Sequence, residues 1–183
     1  YYQSNVYSRS DTLDKTMFQF FSPGVSFEIN NLNRKEYPSG GARFALASNL
    51  VFGNEQYRPG STSPLDQDIN KRHTWIQAQL TYENYYLKIN KLHFGLFAQA
   101  HYSSQQYFSN YSSSILSSAA FQPVPESRIR FMPQFRANKY LSIGSKNVYS
   151  LWKNLDIRLD TYLFMPTHGI EQSPVTRLAE SAS

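Results

Sequence analysis

The sequence ARFALASNLVFG, residues 42–53, decides the fold because apolar and other side chains alternate along it. One parity holds Phe44, Leu46, Leu50 and Phe52, with Ser48 as its only polar member. The opposite parity holds Arg43 and Asn49 between Ala and Val residues. Successive side chains of a strand point to opposite faces of the sheet, so a period of two predicts a strand with one apolar face. A helix would need apolar residues at three- and four-residue spacings, which this stretch does not show cleanly.

The same alternation recurs in residues 74–83 (TWIQAQLTYE), 92–103 (LHFGLFAQAHYS) and 155–166 (LDIRLDTYLFMP). It is weaker in residues 18–30 and 138–151, and residues 1–8 are a candidate for one more strand. We therefore predict six or seven antiparallel strands. The clearest stretches are about twice as long as the five or six residues usual in globular proteins. A membrane-spanning strand needs roughly 9–11 residues, so the strand lengths favour a transmembrane β-barrel over a soluble β-sandwich.

The two parities predict which side chains face lipid and which face the barrel lumen. Those predicted to face lipid are Phe44, Leu46, Leu50, Phe52, Ile76, Leu80, Leu92, Phe94, Leu96, Leu155, Ile157, Leu159 and Leu163. Those predicted to face the lumen are Arg43, Asn49, Gln77, Gln79, His93, Gln99, His101, Asp156, Arg158 and Asp160. The last three of these alternate acid, base, acid on one face, which favours a neutralised ion ladder; a selectivity or gating cluster is the alternative.

The composition fits such a barrel. Charged residues make up 17% of the 183 residues, below the roughly 25% of an average soluble protein. Aromatic residues reach 16%, yet the mean hydropathy is only −0.52. Aromatic clusters lie near the predicted strand ends, at Tyr82, Tyr85 and Tyr86, at Tyr102, Tyr107 and Phe108, and at Tyr149 and Trp152. Such rings prefer the headgroup level of a membrane, and we expect them to form its aromatic girdles.

The predicted connections alternate in length. Residues 88–91 and 152–154 are short, residues 54–71 and 104–136 are long, and the intermediate turn 30–41 groups with the short set. Outer-membrane barrels have short periplasmic turns and long outer loops. The start reads as a cut because it carries no signal peptide, and the end, VTRLAESAS, also reads as a cut. We expect one partial barrel domain over residues 1–183, with its clearest strands within 18–166 and a loop or truncated end over 167–183.

No catalytic or metal-binding motif stands out. There is no cysteine and no G-x-S-x-G element. His93 and His101 share a predicted face but stand roughly 26 Å apart along a strand, too far to share a metal. A His101–Ser103 pair is uninformative because serine is abundant, and the scattered basic residues behind the net charge of +5 do not predict nucleic-acid binding. We predict that the chain itself is not an enzyme and uses no cofactor or metal.

Two long stretches resemble a known family. They are NNLNRKEYPSGGARFALASNLVFGNEQYRPG, residues 30–60, and AAFQPVPESRIRFMPQFRANKYLSIGSKNVYSLWKNLDIRLDTYLFMP, residues 119–166. Together they resemble the C-terminal barrel of Bacteroidetes-type patatin-like phospholipases, which is similar to the surface-antigen superfamily of outer-membrane insertases. The resemblance implies a parent with a signal peptide, a periplasmic patatin hydrolase domain with a Ser-Asp dyad, linker domains and a barrel of about sixteen strands. None of the patatin motifs is present in this chain.

The sequence thus predicts an all-β fold, a fragment of an antiparallel transmembrane barrel in the bacterial outer membrane. Its expected partners are outer-membrane lipid and the N-terminal periplasmic domains of the parent chain, without nucleic acid. The first hypothesis for its function is a barrel that anchors a lipolytic domain absent from this chain, with export of that domain as an additional hypothesis. The alternatives are a transport or assembly barrel of the same superfamily with no enzyme domain, and a soluble all-β binding module.

Overall fold

The computed structural model describes residues 12–61, 63, 66–152 and 155–167. Within them the fold is all-β, and seven strands form one antiparallel sheet curled into a half-barrel. The strands are β1 (Lys15–Phe21), β2 (Gly24–Asn30), β3 (Gly41–Arg58), β4 (Ile69–Ile89), β5 (Leu92–Ser103), β6 (Lys139–Trp152) and β7 (Leu155–Pro166). The sheet order is β1-β3-β4-β5-β6-β7, and β2 also pairs with β3. The predicted all-β, antiparallel fold is confirmed at this level.

The connections alternate between the two ends of the sheet, because consecutive strands from β2 onward pair as hairpins, but the predicted alternation in their lengths is only partly met. The β2–β3, β4–β5 and β6–β7 connections lie at one end of the sheet, which we call the short-turn end after the brief connections β4–β5 and β6–β7. The β2–β3 connection, residues 31–40, is as long as the β3–β4 connection, residues 59–68. The connections β3–β4 and β5–β6 lie at the opposite end, which we call the long-loop end. Asn90 adopts a φ of 53° in the tight β4–β5 turn, a left-handed conformation that Asn tolerates better than most residues.

The prediction of one strand over residues 18–30 is wrong. The segment forms β1 and β2, which lie end to end along the same side of β3. Ser22 and Pro23 separate them, and Pro23 has no N–H with which to continue the ladder. The Pro23 carbonyl still accepts a bond from Leu50 N at 2.9 Å. The candidate strand in residues 1–8 lies outside the described residues.

The prediction of a long loop over residues 54–71 is also wrong. β3 continues to Arg58 and β4 begins at Ile69, with Tyr57 paired to Ile69. The strand extensions are polar, and the burial of Glu55 and His73 between them keeps them in the sheet. The sequence predicted a loop here because the strand pattern requires apolar residues at every second position, and these extensions have polar residues on both faces.

The long β5–β6 connection does more than join two strands. Residues 104–138, the cover segment, contain helix α1 (Tyr111–Ser117) and two 3₁₀ helices, Pro125–Ile129 and Pro133–Phe135. The cover segment packs on the face of the sheet that carries Trp75, Phe97 and Tyr140, which we call the inner face; the opposite face is the outer face. In the part of the chain that the structure describes, no helix is long and apolar enough to cross a membrane.

Two apolar clusters join the cover segment to the sheet. One contains Phe97, Phe121, Ala137 and Tyr140, with Tyr162 and Phe164 packed against it. The other contains Val51, Trp75 and Phe108, with Phe18 packed against it. The core of the described chain therefore lies on the inner face of the sheet, between the strands and their own connection.

Candidate functional site

The strand register sorts the predicted side chains onto two faces without exception. Every residue predicted to face the lumen lies on the inner face, as the pairs Asn49–Gln77 and Gln79–His101 illustrate. Every residue predicted to face lipid lies on the outer face, as Leu46–Leu80 and Leu50–Ile76 illustrate. Whether lipid and an aqueous lumen occupy those two sides stays a prediction.

The two faces have the reverse of the usual burial for a soluble sheet. The apolar outer face is uncovered, and Leu159 and Leu163 are 66% and 61% exposed. The inner face instead buries polar and ionisable side chains, including Glu55, His73, Glu83, Ser142 and Lys146. In a soluble half-buried sheet the apolar face would point to the core and the polar face to water.

A buried pair of Glu55 and His73 anchors the cover segment at the long-loop end. The imidazole Nε2 lies 2.7 Å from a Glu55 carboxylate oxygen. The other carboxylate oxygen accepts the backbone N–H of Ser109 at 2.8 Å. The ring of Phe108 lies 4.7 Å from the imidazole, between centroids. One buried carboxylate therefore ties two strands to the cover segment, with Phe108 excluding water from the contact.

A second buried pair crosses the middle of the inner face. Lys146 on β6 and Glu83 on β4 lie 2.8 Å apart, and each side chain is only 6% exposed. The ammonium of Lys146 also lies 5.0 Å from the ring centroid of Phe97, on the strand between them. Because two opposite charges are buried together, the pair adds no net charge to the inner face.

Arg158 on β7 contacts the turn between β2 and β3 and strand β4 at the short-turn end of the sheet. Its guanidinium donates to Asp160 at 2.8 Å, to the hydroxyl of Tyr85 at 2.6 Å and to the carbonyl of Pro38 at 2.8 Å. The ring of Tyr37 also lies against this guanidinium, and its hydroxyl bonds Glu126 of the cover segment. The planar fork of Arg suits such divergent contacts, so Arg158 connects the sheet with the turn between β2 and β3.

The other members of the predicted ion ladder complete this end of the site. Asp156 accepts from Arg34 at 2.9 Å and from Ser150 at 2.7 Å. Each acid of the ladder therefore has its own cationic partner, although Asp156 is paired with a turn residue instead of with Arg158.

The cover segment is held by aromatic and carbonyl contacts of its own. The ring of Phe121 lies 5.4 Å from that of Phe164 and 6.0 Å from that of Tyr140. The guanidinium of Arg136 donates to the carbonyls of Ile115, Leu116 and Ser118, at the end of α1. Burial lowers the pKa of Arg136 from its usual value. Arg136 supplies the partners that the final carbonyls of a helix lack.

The described inner-face histidines lie apart from one another on the sheet. The ring of His101 is buried and stacks on Tyr140, and its two nitrogens have no hydrogen-bond partner among the described residues. The hydroxyl of Ser103 accepts from Gln105 N instead. His93 pairs with Val148, well away from the Tyr140 partner of His101. No three His, Asp or Glu side chains of the described chain are grouped to hold a metal ion.

Sequence reasoning missed Glu55, His73, Glu83 and Lys146. Glu55 follows the parity of Arg43 and Asn49 beyond Gly53, so extending the alternation was the available signal. Nothing in the local pattern marks Lys146 as the partner of a residue on another strand. Two aromatic residues expected in the membrane girdles face inward instead: Tyr85 contacts Arg158, and Phe108 contacts His73.

Comparison of the chain with protein-family models, with curated proteins and with solved structures finds no match.

Proposed function

We propose that this chain is part of an outer-membrane β-barrel that anchors a lipolytic domain lying elsewhere in the parent protein. The observation that carries the proposal is the exposed apolar outer face opposite a buried, ion-paired inner face. Lipid is the solvent that such an outer face requires, since apolar side chains outside and polar side chains inside are the pattern of membrane barrels.

The strand dimensions support the membrane assignment. The outer face of β3 is apolar from Phe44 to Phe52, except for Ser48, and turns polar at Asn54 and Gln56. The apolar part has the length of one crossing, and the polar extension then projects beyond the bilayer on the long-loop side.

The half-barrel also supports the proposal that further strands complete the wall. Among the described residues, β7 pairs only with β6, and β1 and β2 pair only with β3. Two open edges leave rows of unpaired backbone groups, which cost several kcal/mol each in hydrocarbon. Closure by other strands of the parent removes both edges, in line with the barrel of about sixteen strands that the resemblance implies.

The lipolytic domain enters the proposal through the sequence resemblance alone. Residues 30–60 and 119–166 carry that resemblance, and both stretches fall on the sheet and its connections. In this assignment the chain holds the enzyme at the membrane and performs no catalysis.

The test uses the full-length protein expressed with its own leader. Ile143→Arg, on the outer face, should abolish the heat-modifiable folded band in outer-membrane fractions. Gln56→Arg is the matched control, because it adds the same charge to the outer face beyond the apolar band and should leave that band unchanged. Equal tolerance of both substitutions would overturn the membrane assignment. Normal assembly without phospholipase activity in the same fractions would favour the transport barrel with no enzyme domain.

A further inference from the structure

One strip of the inner face is left open by the cover segment. The strip comprises Ser26 and Glu28 of β2 together with Ala45 and Ala47 of β3. Along with Arg43, Gln79 and Thr81, these residues line a groove of about 180 Å³. Every residue of β2 is exposed, whereas the inner-face residues of β6 from Tyr140 to Val148 are buried.

The position of the strip at a sheet edge does not account for its exposure. β7 is also an edge strand among the described residues. Its inner-face ring, Phe164, nevertheless packs against Phe121 and Phe135 of the cover segment. The cover segment therefore closes the β7 edge and, through Phe108, the β1 part of the other edge, but it leaves the β2 part open.

The open strip carries no net charge and is mixed in character, since Phe27 and Leu46 also border the groove. Ala45 and Ala47 are small, so the backbone of β3 lies close to the groove. Arg43 and Glu28 form the charged pair of the lining, with 2.9 Å between Nε and the carboxylate. The side-chain amide of Asn30 donates to the same carboxylate at 3.1 Å. The partial exposure of the Arg43–Glu28 pair keeps this part of the groove in contact with water.

We infer that the open strip lines an aqueous path for small inorganic ions through the complete barrel, with the Arg43–Glu28 pair setting its charge balance. The inference rests on the proposed membrane function. Glu28 and Arg43 are half-exposed to that path and neutralise each other, so the intact path discriminates little between cations and anions. Removing one partner leaves the other as a fixed charge in the path.

The experiment measures reversal potentials of the full-length protein in planar bilayers under a KCl gradient. Glu28→Gln leaves Arg43 unneutralised and should shift the reversal potential toward anion selectivity. Arg43→Gln should shift it in the opposite direction. Ala47→Trp, which fills the groove without changing charge, should reduce the single-channel conductance and leave the selectivity unchanged.

Asp156→Asn is the matched control. It removes a paired carboxylate from the inner face of β7, at the covered edge, and should leave the reversal potential unchanged. The inference is overturned if the folded protein inserts but does not conduct. It is also overturned if the Glu28 and Arg43 variants shift selectivity in the same direction or not at all, or if Asp156→Asn acts as strongly as Glu28→Gln. If the heat-modifiable band persists in these cases, the membrane assignment stands and only the ion path is overturned. Failure of the unsubstituted protein to insert would overturn both the membrane assignment and the ion path.

Discussion

The imidazole of His73 lies 2.7 Å from the carboxylate of Glu55, and the two side chains are 1% and 0% exposed. Since Glu55 also accepts the backbone N–H of Ser109, this pair is one of the contacts through which the sheet holds the start of the cover segment. Because the carboxylate is buried away from water, its hydrogen bonds must come from other groups of the protein.

Glu55→Ala should lower the free energy of unfolding by about 3–5 kcal/mol, as expected when one partner of a buried pair is removed. The substitution leaves both the imidazole of His73 and the backbone N–H of Ser109 without their hydrogen-bond acceptor. The double variant Glu55→Leu, His73→Leu should cost less than Glu55→Ala, because it removes both polar partners. Urea titration of the full-length protein refolded in vesicles measures the difference, with Arg72→Ala on the outer face as control. Equal costs for the Glu55 and Arg72 substitutions would show that the pair does not hold the cover segment.

Arg158→Lys should loosen the turn between β2 and β3 while keeping the positive charge. A lysine ammonium cannot reproduce the divergent bonds to Asp160, Tyr85 and Pro38, so the turn loses one of its ties to β7 and keeps the Arg34–Asp156 pair. Trypsin should then cut faster after Arg34 and Lys35, which lie in this turn. Arg130→Lys, at an exposed position of the cover segment, is the control. An unchanged cleavage rate in Arg158→Lys would mean that other contacts hold the turn.

The faces of the sheet followed from the sequence because side-chain alternation is a local property of a strand. The stretch from Arg43 to Phe52 carries its pattern within one strand, and its register with β4 preserved that pattern. The packing of the cover segment on the sheet could not be predicted from the sequence. Phe121 contacts three different strands, and no fixed sequence spacing relates these contacts. The partnership of Glu83 and Lys146 was equally hidden, since β5 separates their strands in the sheet.

Phe121→Ala should release the cover segment from β5–β7. The ring is 4% exposed and sits between the rings of Tyr140 and Phe164, so its removal leaves a cavity that costs about 3–5 kcal/mol. Hydrogen exchange of the α1 amides should accelerate, because α1 belongs to the same segment. Leu116→Ala, which truncates an exposed side chain of α1, should change the free energy of unfolding by less than about 0.5 kcal/mol. Protection of α1 that survives the Phe121 substitution would contradict the assigned role.

The 183-residue chain on its own should not form a detergent-free, monodisperse monomer. It would expose the apolar outer face together with the two open strand edges, and such edges template aggregation. Analytical ultracentrifugation after refolding with and without detergent tests this expectation. A monodisperse monomer with a cooperative thermal transition in detergent-free buffer would refute it and favour the soluble binding module.

The adjacent residues Leu159 and Asp160 provide the sharpest test of which face meets lipid. Leu159 lies on the outer face, and Asp160 lies on the inner face beside Arg158 and Lys146. A register shift of one residue would place Leu159 on the inner face and Asp160 on the outer face. Comparing substitutions at the two positions therefore distinguishes the two facings of the strand.

Leu159→Arg should destabilise the inserted full-length barrel by about 2–4 kcal/mol if the residue lies near the bilayer midplane, and by less near an interface. Asp160→Asn should cost on the order of 1 kcal/mol, because the amide oxygen still accepts a hydrogen bond from Arg158 while the charge is lost. Asp160→Leu removes that acceptor as well and should cost more than Asp160→Asn. Urea titration in lipid vesicles ranks the variants by their free energy of unfolding. Leu159→Met is the control, because it changes the side chain but keeps it apolar. If Leu159→Arg is silent while Asp160→Leu is stabilising, the facing is reversed and lipid meets the face that carries the ion pairs.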